Sequence, residues 1–342
     1  MTQPGPDPVA EAIVVADAYI ESKNYQRARD VLRQVLAEHP NDPGLLAHHA
    51  RAEYLLGDHA QAASSAYAAL SAAPHDELAM RIYALALDGQ GRGPEAVWMA
   101  WRTVTTHPNE VMAHRLYARV LQKAQRYRDA LIEVDEALRL SPADVDTLVL
   151  RGTILHDLGY IAESSATYER ALALDPGNAE AQNNLAVNRL RGGKFGHALR
   201  GFLGAAGSDP TLGNLVRRNI GAVLATILRR VTVLAVMVGI LSAFVGSSHG
   251  GTDFRTVMMQ VLIVMGVVVL VGNFVWLLRA VPRRTFVSAA RGRAGVVVRI
   301  VHAALAAAVG AGAVAFGGPW AIPAGVLVAV SGLFIVRFGL LV

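Results

Sequence analysis

Apolar residues recur at helical spacing through the first two-thirds of the chain, in paired segments of about 12–14 residues each. Each pair ends at a proline: Pro40, Pro74, Pro108, Pro142, Pro176 and Pro210, every step being 34 residues. Proline lacks the backbone N–H and clashes with a continuing helix, so it stops the second segment of each pair. Two residues later stand Asp42, Asp76, Glu110, Asp144 and Asn178. Most of these are residue types whose side chains suit the start of a helix, where free N–H groups need an acceptor. The pattern predicts six helical hairpins over residues 9–42, 43–76, 77–110, 111–144, 145–178 and 179–212. One hairpin cannot bury its apolar face alone, whereas stacked hairpins can.

Reading down the aligned units sharpens this. The eighth position is Ala16, Ala50, Ala84, Ala118, Gly152 and Ala186; the twentieth is Ala28, Ala62, Ala96, Ala130, Ser164 and Ala198. Both columns are small, as close helix crossing requires. The twenty-fourth is Leu32, Ala66, Ala100, Val134, Tyr168 and Phe202, and the seventeenth includes Tyr25, Tyr127 and Phe195. With its terminal proline, this pattern resembles the tetratricopeptide repeat. The resemblance covers residues 9–212. It is weaker in the first unit, and the third has an irregular turn, Gly89-Gln90-Gly91-Arg92-Gly93-Pro94.

The resemblance implies an α-solenoid whose first helices line a concave groove that binds a protein or peptide. Groove positions are the second, fifth, ninth and twelfth of each unit. In unit four these are Met112, Arg115, Arg119 and Gln122, with Lys123 beside them. Arg115, Arg119 and Lys123 are four apart and share one helical face. Arg51 and Arg81 join from earlier units and Asn183 from the sixth, with His48 and His156 at the edge. A basic stripe in an otherwise acidic domain suits an acidic segment or a terminal carboxylate. The alternative is a solvated face balanced by Asp129 and Glu133 on the next helix. Ile13, Asp17, Ala47 and Arg51 depart from the carboxylate-clamp pattern of some family members, so chaperone binding is not implied.

After Pro210 the character of the chain changes. Residues 213–230 read as one more helix that caps the last repeat and approaches a membrane. Four apolar stretches follow at 231–248, 256–278, 300–316 and 321–342, near the roughly 17–25 residues needed to cross a bilayer. The last two are joined by Gly317-Gly318-Pro319-Trp320 and should form a hairpin. One of the four, 231–248 above all, could instead be a buried soluble helix. Ala303, Ala307, Ala311 and Ala315 form a small-residue stripe, as do Ala321, Gly325 and Ala329. Such stripes let helices pack closely in lipid, either within the hairpin or in a homo-oligomer.

Charge follows the same division. Residues 1–212 hold 20 Lys and Arg against 26 Asp and Glu, whereas residues 213–342 hold 12 Arg and one acid, Asp253. The basic isoelectric point therefore argues for a membrane surface and against nucleic acid. Arg217, Arg218, Arg229 and Arg230 precede the first span, and Arg279, Arg283, Arg284, Arg291, Arg293 and Arg299 lie between the second and third. Both clusters would face the cytoplasm and attract anionic lipid.

Motifs for chemistry fail on context. Gly246-Ser247-Ser248-His249-Gly250 follows an apolar span rather than the strand a nucleophile elbow needs. Gly192-Gly193-Lys194-Phe195 puts Phe where a phosphate loop needs Ser or Thr. Gly89-Gln90-Gly91-Arg92-Gly93 follows a helix, unlike a dinucleotide fingerprint. There is no cysteine, and the eleven histidines show no metal-ligand spacing. No span carries an acid, which disfavours a channel or transporter. Residues 1–8 read as a flexible lead-in without signal-peptide character.

The sequence thus reads as an all-α, non-enzymatic scaffold or adaptor without cofactor or metal, held at a membrane by four helices. The runner-up is a subunit of a larger secretion, transport or envelope assembly. The charge pattern puts both termini in the cytoplasm, and the composition, rich in Ala, Arg and Gly, suits a bacterial plasma membrane. A reporter active only outside the cytoplasm is therefore expected to be active when fused after Gly251 and silent after Arg291. The opposite pattern would reverse the topology.

Overall fold

A computed structural model describes residues 7–209, 213–247, 254–280, 294–316 and 318–338. Helices and turns account for them, with no strand among the described residues. The chain divides into two compact units, Met1–Pro176 and Gly177–Val342.

The first unit is a stack of five antiparallel helix pairs: α1 (Pro8–Glu21) with α2 (Tyr25–Leu36), α3 (Pro43–Leu56) with α4 (His59–Ala72), α5 (Glu77–Gly89) with α6 (Gly93–Thr106), α7 (Val111–Lys123) with α8 (Tyr127–Leu140), and α9 (Val145–Asp157) with α10 (Ile161–Leu174). First helices pack on second helices within a pair, and α2, α4, α6 and α8 each pack on the first helix of the next pair. The small columns explain the fit. Ala16, Ala50, Ala84, Ala118, Ala28, Ala62, Ala96 and Ala130 are all fully buried.

The start of each first helix is set as expected, with one exception. Asp42, Asp76 and Asp144 accept from the N–H groups of Leu45, Ala79 and Thr147 at 2.8, 2.7 and 2.7 Å. Glu110 makes no side-chain cap; Glu is not among the residue types favoured at this position. The terminal prolines also join neighbouring repeats. Arg102 donates to the Pro74 carbonyl at 3.4 Å and Arg170 to that of Pro142 at 2.7 Å.

The turn inside each pair was not fully legible. Position fifteen is left-handed in every unit: Lys23, Gly57, Gly91, Gln125, Gly159 and Gly193, with φ between 58° and 88°. Glycine adopts that geometry without a Cβ penalty, whereas Lys23 and Gln125 bear a cost. The turn of unit three is therefore regular, Gly91 standing where Gly57, Gly159 and Gly193 stand. Its irregular look came from the extra glycines beside it.

The second unit contains α11 (Ala179–Arg191), α12 (Phe195–Ser208), α13 (Gly213–Ser247), α14 (Phe254–Ala280), α15 (Ala294–Phe316) and α16 (Ala321–Phe338). Residues 213–230 and 231–247 form one continuous helix, with no proline to divide them. Near its start, Ile220, Val223 and Leu224 share a core with Leu199 and Phe202 of the sixth hairpin. Farther along, α13 packs on α14, α15 and α16. By length and composition, Arg217–Val245, Phe254–Asn273 and Gly295–Phe316 could cross a membrane, and Ala321–Arg337 is a shorter apolar helix. On α14 the side chains of Val257, Val261, Val264, Met265 and Val268 are exposed. The small residues of α16 pack on α13: a Cβ at Gly239 would lie 2.8 Å from the Gly325 carbonyl oxygen, and one at Gly325 would collide with Gly239 and Ala243. That half of the stripe is thus used against α13, outside the α15–α16 hairpin, while Ala311 and Ala315 remain exposed.

Unit five carries a compensated pair. Its eighth residue is Gly152, and a Cβ there would stand 2.5 Å from the ring of Tyr168 at position twenty-four. Gly152→Ala is expected to destabilise the protein by about 1–3 kcal/mol through overpacking. Adding the same change to Tyr168→Leu should cost less. Equal costs in the two backgrounds, read by thermal unfolding of the full chain, would clear Tyr168 as the obstacle.

Candidate protein-binding groove

The first helices α3, α5, α7 and α9 present the cationic positions, and the structure shows that most are already paired. Arg115 reaches across to the next repeat, its Nη1 lying 3.0 Å from Asp144 Oδ1 and 3.2 Å from Asp146 Oδ2. Lys123 Nζ lies 2.6 Å from Asp88 Oδ2 on α5. Gln122 donates to Asp157 on α9 at 2.7 Å. Arg51 and His48 both meet Asp17 Oδ1 at 3.1 Å. Arg81 pairs within its helix, Nε lying 2.9 Å from Glu77 Oε1. Asp129 and Glu133, expected to balance the stripe, are engaged elsewhere. Asp129 pairs with Arg126, and Glu133 lies 2.8 Å from His114 Nδ1.

Arg119 differs from the others. It is exposed and makes no hydrogen bond or ion pair among the described residues. It lines a pocket of about 100 Å³ with Arg81, Arg115, Leu85, Met112 and Leu116. The site thus offers an open guanidinium, two further arginines and an apolar floor. The carboxylates that occupy Arg115 and Arg81 hold their planar forks in place. Asn183 is not on an open face. It lies in the second unit, is 4% exposed and accepts from Asn219 at 2.8 Å.

Of the arginines expected at a membrane surface, Arg217, Arg218, Arg229, Arg230 and Arg279 are exposed. Arg230 stacks over Phe195 with 4.8 Å to the ring centroid. Arg299 instead is 6% exposed within the helical packing of the second unit. Arg283, Arg284, Arg291 and Arg293 lie outside the described residues, as do residues 248–250 of the G-x-S-x-G string.

The sequence reading missed a second surface. On the outer helices α4 and α6, Tyr67, Trp98 and Trp101 are 62%, 54% and 48% exposed. The aligned exposed positions of these two helices, residues 60, 64, 67 and 71 and residues 94, 98, 101 and 105, hold no charge. Those of α8 are Arg128, Ile132, Asp135 and Arg139. Comparing second helices as closely as first helices would have revealed it.

Comparisons with known proteins agree on the repeat. Family models described as tetratricopeptide repeat match residues 19–64, 115–179 and 149–212. No curated protein matches. Among solved structures, yeast Tom70 is 18% identical with a TM-score of 0.51, over 64% of this chain and 46% of its own. This chain thus spans about half of Tom70. A Pseudomonas aeruginosa PilF structure is 16% identical with a TM-score of 0.49, over 59% and 92%. YrrB, described as a TPR protein with an unusual peptide-binding site, is 18% identical with a TM-score of 0.40, over 54% and 94%.

Asp144 joins the groove to the fold, since it caps α9 and holds Arg115. Burial pushes its carboxyl up, but hydrogen bonds from Thr147 and the nearby Arg115 outweigh that and leave it below the ordinary carboxylate value. A depressed folded-state pKa gives stability that is complete above the unfolded value near ~3.9 and lost as pH falls through the folded one. Asp144→Ala should cost about 1 kcal/mol from the cap and flatten the acid limb of the stability profile. An unchanged limb would remove Asp144 from that role. With their caps, turns and small columns in register, residues 19–64 and 115–212 are tetratricopeptide repeats.

Proposed function

We propose that the protein is a membrane-held scaffold that binds a protein or peptide partner on the first-helix face of its repeats, centred on Arg119. The observation that carries this is the open guanidinium of Arg119 beside Leu85, Met112 and Leu116. Arg115 is held by carboxylates of the next repeat and Arg81 by Glu77 of its own helix, so the site suits an acidic side chain or terminal carboxylate with an apolar side chain beside it. A charged hydrogen bond of this kind contributes about 1.5–3 kcal/mol. Three apolar helices of spanning length support retention at a bilayer, and their arginine clusters support a cytoplasmic location for the repeats.

The exposed aromatic face of α4 and α6, where the Arg102 guanidinium lies 5.9 Å over the Trp98 ring, supports the second reading, a subunit of a larger membrane assembly. Such a subunit needs more than one contact surface, and exposed Trp and Tyr are the residues that anchor interfaces. A stoichiometric partner that persists through mild detergent and is lost with Trp98→Ser and Trp101→Ser would favour it.

The groove itself is tested by a photo-crosslinking residue placed at Gln122 in cells. A discrete crosslinked partner is expected in the wild-type background. Arg119→Glu should weaken that product by tenfold or more, as a lost contact of about 1.4 kcal/mol implies. Reversing Arg115 and Lys123 as well should abolish it. Equal crosslinking in all backgrounds would rule the groove out.

A further inference from the structure

Voids larger than a water molecule are few in close-packed interiors, yet the second unit holds one of about 290 Å³ between α13, α14 and α15. Leu228 and Val231 of α13, Leu270 of α14, and Ile300 and Ala307 of α15 wall it. The size is near the ~300 Å³ lower end of small-molecule sites. An apolar cavity of about 150 Å³ holds one benzene, so this one suits roughly twice as many heavy atoms, about a dozen.

One polar side chain stands in that wall, Asn273. Its amide nitrogen donates to the Val269 carbonyl one turn back, at 2.8 Å. A carbonyl only accepts, so this bond turns the nitrogen towards the backbone and leaves Oδ1 as a separate acceptor. Oδ1 has no partner among the described residues. An amide oxygen set against apolar groups gains from a donor, and no other lining residue has a polar side chain to supply one. Val271, which also lines the cavity, is exposed, so the cavity opens beside Asn273. On that side the wall is loosely held: 17% of the apolar stretch of α14 is buried, against 56% of that of α13. An apolar occupant would supply the packing that α14 lacks.

We propose that this cavity binds a neutral hydrocarbon chain of about ten carbons that ends in a hydroxyl. The hydroxyl donates to Asn273 Oδ1 at the opening, and the chain lies on Leu228, Val231, Leu270 and Ile300. No lining residue is charged, so a carboxylate or ammonium end would lose hydration and gain no partner. A plain alkane fills the same space and leaves Oδ1 unpaired. The site goes beyond the scaffold role and does not depend on the groove at Arg119.

The test is photolabelling of the full chain in detergent with a diazirine analogue of 1-decanol. Saturable labelling is expected on α14 near Asn273 and on α15 between Ile300 and Ala307. Unlabelled 1-decanol should displace the probe about fivefold better than decane or decanoate, as one hydrogen bond implies. Asn273→Leu should bring 1-decanol down to the level of decane, which a merely structural asparagine would not do. Ala307→Leu fills the cavity and should abolish saturable labelling. Ala304→Leu, at an exposed lining position, takes its place if that variant fails to fold. Equal displacement by the three competitors, labelling that spreads without saturation along the exposed face of α14, or labelling unchanged in the variants would overturn the site. Loss of a dimer in Asn273→Leu with labelling intact would also overturn it and give Asn273 to a contact between copies.

Discussion

Close approach of paired helices is the constraint on which the structure depends. At positions eight and twenty the helices cross over fully buried alanines, and in unit five over Gly152 and Ser164. The Ser164 hydroxyl donates to the Gly152 carbonyl at 2.7 Å, so the exception is bonded as well as small. A longer side chain at these points would push one helix away from its partner. The displacement would carry through the stack, because each second helix also supports the next pair. It would also separate Arg115 from Asp144 and Lys123 from Asp88, whose pairing depends on the step between neighbouring repeats.

The proposed binding role rests on what this stacking leaves unpaired. Exposed ion pairs contribute little to stability, about 0–1 kcal/mol each. Their value here lies in organisation. Carboxylates of neighbouring repeats occupy Arg51, Arg115 and Lys123, and Glu77 occupies Arg81. What stays open at the middle of the first unit is Arg119. A stripe that looks uniformly basic in sequence is in the fold a nearly neutral surface with one available cation. In the second unit, one helix packs on two sets of partners. Residues near the start of α13 pack on the sixth hairpin, and later ones pack among the apolar helices.

Much of this was legible in the chain. The proline register located every hairpin, and the residues two after each proline identified the caps, apart from Glu110. The small columns marked the crossings. The left-handed residue at position fifteen was overlooked because Lys23 and Gln125 break the glycine column and the neighbours of Gly91 distract from it. Pairing in the groove was not legible, since Arg115–Asp144 and Lys123–Asp88 join residues 29 and 35 apart across repeats. Helical spacing reports which face a residue occupies and not which charge faces it from the adjoining turn of the stack. Asn183 shows the same limit: its position suggested an open groove, and Asn219 of α13 covers it.

The proposed division of the chain between water and lipid is tested most directly by washing isolated membranes at alkaline pH in carbonate. The full-length chain should stay in the membrane fraction and need detergent for release. Release into the supernatant as a monodisperse species without detergent would contradict the account.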